Sequence, residues 1–106
     1  MAKAAIEHGT GNFFADLGLA GPAELQTKTR LAMALNRLIK ERGLKQADVA
    51  RQMAIPQPKV SALVNYRLDG LSVERLMEFL TLMGCDVEII VRPAQAAGCL
   101  RVLEVA

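Results

Sequence analysis

The sequence predicts a mainly helical single domain that finishes in a β-strand or hairpin, and three observations lead there. Apolar residues recur at spacings of three, four and seven between Leu25 and Met83, the period of helices that bury one face. Gly and Pro punctuate that pattern at Gly21-Pro22, Gly43, Pro56, Pro58 and Gly84, so the helices are several and mostly short. From Asp86 the period falls to two until Pro93, as in a strand.

Taken in order, residues 1–11 contain Gly9 and Gly11 and little periodic apolar content, and they read as a flexible arm. Asn12 to Leu19 places Phe13, Phe14 and Leu17 at helical spacing behind the possible caps Thr10 and Asn12, enough for one or two turns. After Pro22 a long helix is expected over about 23–42. Leu25, Leu31, Leu35, Leu38 and Ile39 form its stripe, and Gly43 follows as its C-cap. Its last turns expose Arg37, Lys40 and Arg42, cations that complement the negative end of the helix dipole. A second helix spans Gln46 to Met53 with Val49, Ala50 and Met53 inward, and a third spans Pro58 to about Asn65 with Val60, Leu63 and Val64 inward. Only Ala54, Ile55, Pro56 and Gln57 separate the two.

Ser72 caps the last helix, Glu74 occupies its first turn, and Gly84 ends it. Val73, Leu76, Met77, Leu80 and Met83 are its inward set. Met33, Met53, Met77 and Met83 share helical spacing with leucines and read as core. In the strand, Val87, Ile89 and Val91 alternate with Asp86, Glu88, Ile90 and Arg92. Residues 94–106 form a tail in which a second strand over Cys99 to Val105 would complete a hairpin.

The chain has 106 residues, 52% apolar and 23% charged, which suits one globular domain rather than a disordered or fibrous chain. No run free of Asp, Glu, Lys and Arg exceeds eight residues, against the ~18 a membrane-spanning helix needs, and Glu7 interrupts the start before a secretory run forms. A soluble, cytoplasmic protein is expected. Cys85 and Cys99 are too few for a disulfide scaffold and have no neighbouring His or Cys, so reduced thiols and no metal site are expected.

The formal charge of +2 conceals an asymmetry. Residues 28–67 hold nine of the thirteen Lys and Arg but only Glu41 and Asp48, a net +7, while the chain on either side is mildly acidic. The middle of the chain thus faces an anion, and nucleic acid is the leading one. Two short helices joined by a tight turn after a longer one, all inside this segment, form the arrangement of a helix-turn-helix DNA reader.

The stretch QADVARQMAIPQPKVSALVN, Gln46 to Asn65, resembles the helix-turn-helix unit of the lambda-repressor-like (Cro/XRE) regulators. Gln46 opens the first helix, Ala50 is the small residue at the helix crossing, Ala54 sits in the turn, and Val60 and Leu63 anchor the second helix. GLSVERLMEFLTLMGCDVEIIVRP, Gly70 to Pro93, resembles the final helix and strand of the HigA-type antitoxins, and the likeness covers about residues 12–93. It implies a lambda-repressor-like helix-turn-helix bundle with a C-terminal strand or hairpin. Three departures stand out. Ala54 replaces the usual Gly, where a left-handed backbone costs a residue with a Cβ about 1 kcal/mol or more. Lys45 replaces the usual Ser or Thr cap, a loss of about 1 kcal/mol. Pro58 suits a first helical position and pushes Gln57 into the N-cap.

With Val60, Leu63 and Val64 inward, the outward face carries Pro58, Lys59, Ser61, Ala62 and Asn65, small or polar enough to enter a major groove. Gln57 can pair with adenine and Lys59 with guanine or a phosphate, while Ser61 and Ala62 allow close approach and can meet a thymine methyl. Lys45, Gln46, Asn65 and Arg67, with the amides at the helix N-termini, are the candidate phosphate contacts. Val87, Ile89 and Val91 on an edge strand are the candidate dimerisation residues. Tyr66 suits either a phosphate or packing. His8 lies in the arm without a partner, and no residues combine as nucleophile, base and oxyanion donor, so neither an enzyme nor a cofactor is expected.

The expected function is a homodimeric DNA-binding regulator of a palindromic, double-stranded operator. The resemblance implies an antitoxin that also sequesters a RelE-like toxin ribonuclease and represses the shared operon. A stand-alone XRE-type repressor and a protein-interaction module that has lost DNA binding are the alternatives.

Overall fold

A computed structural model describes residues 22–105. It contains four helices: α1 (Pro22–Glu41), α2 (Gln46–Met53), α3 (Gln57–Val64) and α4 (Val73–Leu82). The expected arm over residues 1–11 and the short helix over Asn12 to Leu19 lie outside the described residues.

α1 runs 20 residues because nothing from Pro22 to Glu41 breaks it, and it turns Thr27, Leu31, Ala32, Leu35 and Ile39 inward. Thr27 is the polar member of that stripe, and its Oγ1 donates to the Ala23 carbonyl at 3.0 Å. α1 packs chiefly on α4, and α2 packs on α3. Phe79, Leu35, Met53, Leu63, Leu76, Met83, Val49 and Val60 form the fully buried centre, so each helix contributes to one core. Leu68, between α3 and α4, is also buried.

Two residues of α1 that the sequence reads as inward, Leu25 of the stripe and Met33, fall outside this core. Leu25 is 60% exposed in the first turn of α1, and Met33 projects from the flank of α1 opposite Leu31 and Leu35. In their place the core takes Phe79, which continues the Leu76–Leu80–Met83 stripe of α4.

All four helices end the same way. The residue after the last turn is left-handed, with φ of 61° at Gly43, 56° at Ala54, 59° at Tyr66 and 90° at Gly84. Around each, one amide returns to the carbonyl three residues back and the next amide to the carbonyl five back, as in Ala54 to Arg51 (3.3 Å) and Ile55 to Ala50 (3.1 Å). This Schellman arrangement satisfies carbonyls that a helix end leaves bare. Glycine supplies the backbone freely at two of the four sites, whereas Ala54 and Tyr66 carry a Cβ into it. Ala54→Gly is therefore expected to raise stability by about 0.5–1 kcal/mol, a melting temperature a few degrees higher by calorimetry. A lower melting temperature would contradict the left-handed assignment.

α4 begins as its sequence implies, with Ser72 Oγ accepting from the Arg75 amide at 3.0 Å. At its other end Arg42 Nη1 donates to the Met83 carbonyl at 2.6 Å. Arg42 thus serves the C-terminal end of α4 as well as lying beyond its own helix, and it ties the ends of α1 and α4 together.

The expected strand over Asp86 to Arg92 and the second strand over Cys99 to Val105 are not formed among the described residues. Alternation belongs to one segment, but a strand also needs a neighbouring edge to bond to. Here both segments lie on the same helices without pairing to each other. They line, with Leu31, Leu38 and Met77, a cleft of about 610 Å³. Val87 and Val102 pack against the core, and Arg37 pairs with Glu104 at 2.9 Å.

Candidate nucleic-acid interface

The geometry of the pair α2–α3 follows from its turn. Val49 and Met53 on α2 and Val60 and Leu63 on α3 are buried against each other and the core, while Ala54 reverses the chain between them. Left-handed Ala54 supplies the reversal in a single residue, so α3 lies at the surface with only one side covered.

The first residue of α3 departs from the sequence reading. Pro56, at φ −62° and ψ 145°, is the N-cap, Gln57 is the first helical residue and Pro58 the second. The Lys59 amide donates to the Pro56 carbonyl at 3.0 Å, closing the first turn. Pro58 has no amide to satisfy there, and this compensates the restriction it places on Gln57. Gln57 still stands at the tip of the helix and is exposed, as are Pro58 and Lys59.

On a helical wheel Pro58, Ser61, Ala62 and Asn65 point away from Val60 and Leu63, and Gln57 and Lys59 flank them on opposite sides. Ser61 and Ala62 are half-buried and Asn65 is exposed. Asn65 Nδ2 donates to the Ser61 carbonyl at 2.8 Å. That bond turns the Asn65 amide group back onto its own helix, which weakens its case as a phosphate ligand relative to Lys45 and Arg67.

Lys45 is the N-cap of α2, at φ −83° and ψ 153°, and makes no side-chain cap bond. Its carbonyl accepts from Asp48 and Val49 at 3.0 and 3.1 Å, so the amides of Gln46 and Ala47 in the first turn have no intrahelical acceptor. A phosphate oxygen is the natural partner for such a group. Gln46 is half-buried beside them, and Lys45 is exposed.

Arg67 carries a signal that sequence reading passed over. At the ends of α1, α2 and α4 the residue after the left-handed position is Leu44, Ile55 and Cys85, each packed against the core as this motif favours. After α3 the equivalent residue is Arg67, exposed, its amide bonded to the Ala62 carbonyl at 2.8 Å. A fixed backbone thus presents a cation where packing elsewhere asks for an apolar group. Tyr66 is 46% exposed beside it rather than packed.

Among the described residues Lys28 pairs with Glu24 at 3.6 Å, Arg37 with Glu104, Arg51 with Asp48 and Arg75 with Glu78. Lys59 on α3, Arg67 just past its end and Lys45 at the start of α2 make no ion pair among those residues, and neither do Arg30, Lys40, Arg42, Arg92 and Arg101. Val87 is half-buried, whereas Ile89 and Val91 are 58% and 73% exposed, so the candidate dimerisation residues do not share one environment.

Among the described residues no three His, Cys, Asp or Glu side chains gather as metal ligands, and no helix is long and apolar enough to cross a membrane. A family model described as a helix-turn-helix domain matches residues 13–92. A solved structure described as an XRE family transcriptional regulator is 49% identical to this chain. The match covers 79% of this chain and 96% of that one, with a TM-score of 0.71. Comparison with the curated proteins gives no match.

Proposed function

The chain belongs to the helix-turn-helix domain family, and on that premise we propose that it is a sequence-specific, DNA-binding transcriptional regulator. The observation that carries this reading is the surface of α3: a face of small and polar side chains, with Lys59 on the helix and Arg67 just past its end, neither paired with a carboxylate among the described residues. In this reading α3 enters the major groove. Gln57 pairs with adenine, Lys59 reaches guanine or a phosphate, and Ser61 and Ala62 lie close enough for a thymine methyl. Lys45, Arg67, Gln46 and, less strongly, Asn65 hold phosphates and set the register. The protein acts in the cytoplasm as a homodimer, with α3 of each subunit about 34 Å from the other on a palindromic site. It needs no cofactor and performs no catalytic step. The net +7 of residues 28–67 and the polar outer face of α3 argue against a protein-interaction module without DNA binding.

The test is base preference. Gln57→Ala is expected to cost roughly 1–3 kcal/mol for the preferred base and to relax discrimination at one position per half-site, with the salt dependence unchanged. Selection from randomised duplexes measures it. An unaltered preference in a folded variant places α3 wrongly.

Two biological roles share this interface. The resemblance of Gly70 to Pro93 to the HigA-type antitoxins supports an antitoxin that binds a RelE-like toxin and represses their operon. A stand-alone XRE-type repressor is the alternative, and the likeness to a protein described as an XRE family transcriptional regulator is compatible with either role. Co-expression with the product of a neighbouring small gene separates them: a stable complex supports the antitoxin role, and two soluble proteins that do not co-purify support the stand-alone one.

A further inference from the structure

Of the four left-handed residues that end the helices, Tyr66 is the one whose side chain suits that backbone least. Gly43 and Gly84 have no Cβ and Ala54 has nothing beyond it, whereas Tyr66 carries an aromatic ring at φ 59°. Packing does not account for the ring, because Tyr66 is 46% exposed and lies outside the core. Hydrogen bonding does not either, since the phenolic hydroxyl has no partner among the described residues. Backbone strain that no packing explains points to a functional position.

The strained backbone is also fixed. The Tyr66 amide donates to the Leu63 carbonyl at 3.0 Å and the Arg67 amide to the Ala62 carbonyl at 2.8 Å, while Leu63 and Leu68 on either side are buried. The ring therefore stands on a rigid base at the C-terminal end of α3.

We propose that the Tyr66 hydroxyl donates to a phosphate of the DNA backbone, and that the strain at this position is retained for that contact. This rests on the regulator reading above and adds to it an uncharged contact. α3 has eight residues, a length of about 12 Å, which matches the ~12 Å width of the major groove. With Gln57 at its N-terminal end over the bases, its C-terminal end comes to the groove wall, where the sugar-phosphate backbone runs. Bases in a duplex stay stacked on one another, so an aromatic side chain at that wall meets phosphate oxygens, acceptors to which a phenol can donate. The end of α3 is prepared for such a neighbour. The carbonyls of Ser61, Ala62 and Leu63, at the negative end of the helix dipole, all accept bonds from Asn65, Tyr66 and Arg67. A phosphate arriving there meets the Tyr66 hydroxyl and the Arg67 guanidinium instead of bare oxygens.

Two variants of the full chain test the contact, read by fluorescence anisotropy on the duplex that the wild type selects from a randomised pool. Tyr66→Phe removes the hydroxyl alone. It is expected to weaken binding roughly tenfold per bound subunit, for every duplex alike. The slope of log affinity against log salt should stay as in the wild type, because a neutral hydroxyl displaces no counterion, whereas Arg67→Ala makes that slope shallower. Tyr66→Gly relieves the backbone as well, so it is expected to melt higher than the wild type by calorimetry and to bind at least as weakly as Tyr66→Phe. A gain in stability coupled to a loss of binding is not what a merely structural tyrosine gives. If the wild type selects a duplex and a folded Tyr66→Phe protein binds it equally well, the contact is wrong while the regulator reading stands. A loss confined to one base position overturns the phosphate contact and makes Tyr66 a base reader, and a lower-melting Tyr66→Gly protein overturns the retained strain. A wild-type chain that selects no duplex overturns the regulator reading and the contact with it.

Discussion

Phe79→Ala is expected to remove about 3–5 kcal/mol of stability, against a total of roughly 5–15 kcal/mol for a domain of this kind. Phe79 is 1% exposed and among the largest side chains fully enclosed in the core. It lies on α4 where that helix meets α1, and the Arg75 guanidinium sits 4.6 Å from the ring centroid, so truncation also removes a cation–π contact. The melting temperature should fall by more than about 10 °C, and DNA binding should be lost with it, because α1 and α4 form the frame that holds α2 and α3. Leu82→Ala, at a position 47% exposed on the same helix, is the control and should change stability little. A Phe79→Ala protein within 1 kcal/mol of wild type by urea titration refutes the packing described here.

The second large effect is electrostatic. In a dimer, Lys45→Ala combined with Arg67→Ala removes four phosphate contacts. Each releases about 0.9 of a counterion, so the slope of log affinity against log salt should become shallower by about 3.6. At 0.15 M salt that release is worth about 1 kcal/mol per contact, which predicts a loss of affinity near 10³-fold for every duplex alike. Stability should scarcely change, since both side chains are exposed and make no ion pair among the described residues. Fluorescence anisotropy across a salt series reads both quantities. An unchanged slope removes Lys45 and Arg67 from the interface, and a loss confined to one sequence makes them base contacts instead.

Much of the candidate interface was legible because it is built from short-range chemistry. Gln57, Lys59, Ser61 and Ala62 could be placed by counting from the buried Val60 and Leu63, since a helix of eight residues rotates its side chains by a fixed angle. Ala54 announced itself by occupying a turn that needs a left-handed residue. Arg67 was selected for its charge and position alone. The stronger reason, that it replaces the apolar residue found after the other three helices, appeared once the hydrogen bonds at all four helix ends could be compared. The bond from Asn65 Nδ2 to the Ser61 carbonyl one turn back was not legible, since it depends on which side-chain rotamer the helix end selects.

The sequence by itself determined the number and order of the described helices, their ends to within a residue or two, the basic middle of the chain and the polar face of α3. Each of these depends on periodicity, capping or charge, which act over a few neighbouring residues. Tertiary structure alone decided that Phe79 rather than Met33 enters the core, that Arg42 reaches across to Met83, and that residues 86–92 form no strand among the described residues. The first two depend on which helix face meets which, and periodicity marks a face without naming its neighbour. The last depends on hydrogen bonds to a second backbone: alternation makes a segment ready for a sheet, but only another edge in reach makes the sheet.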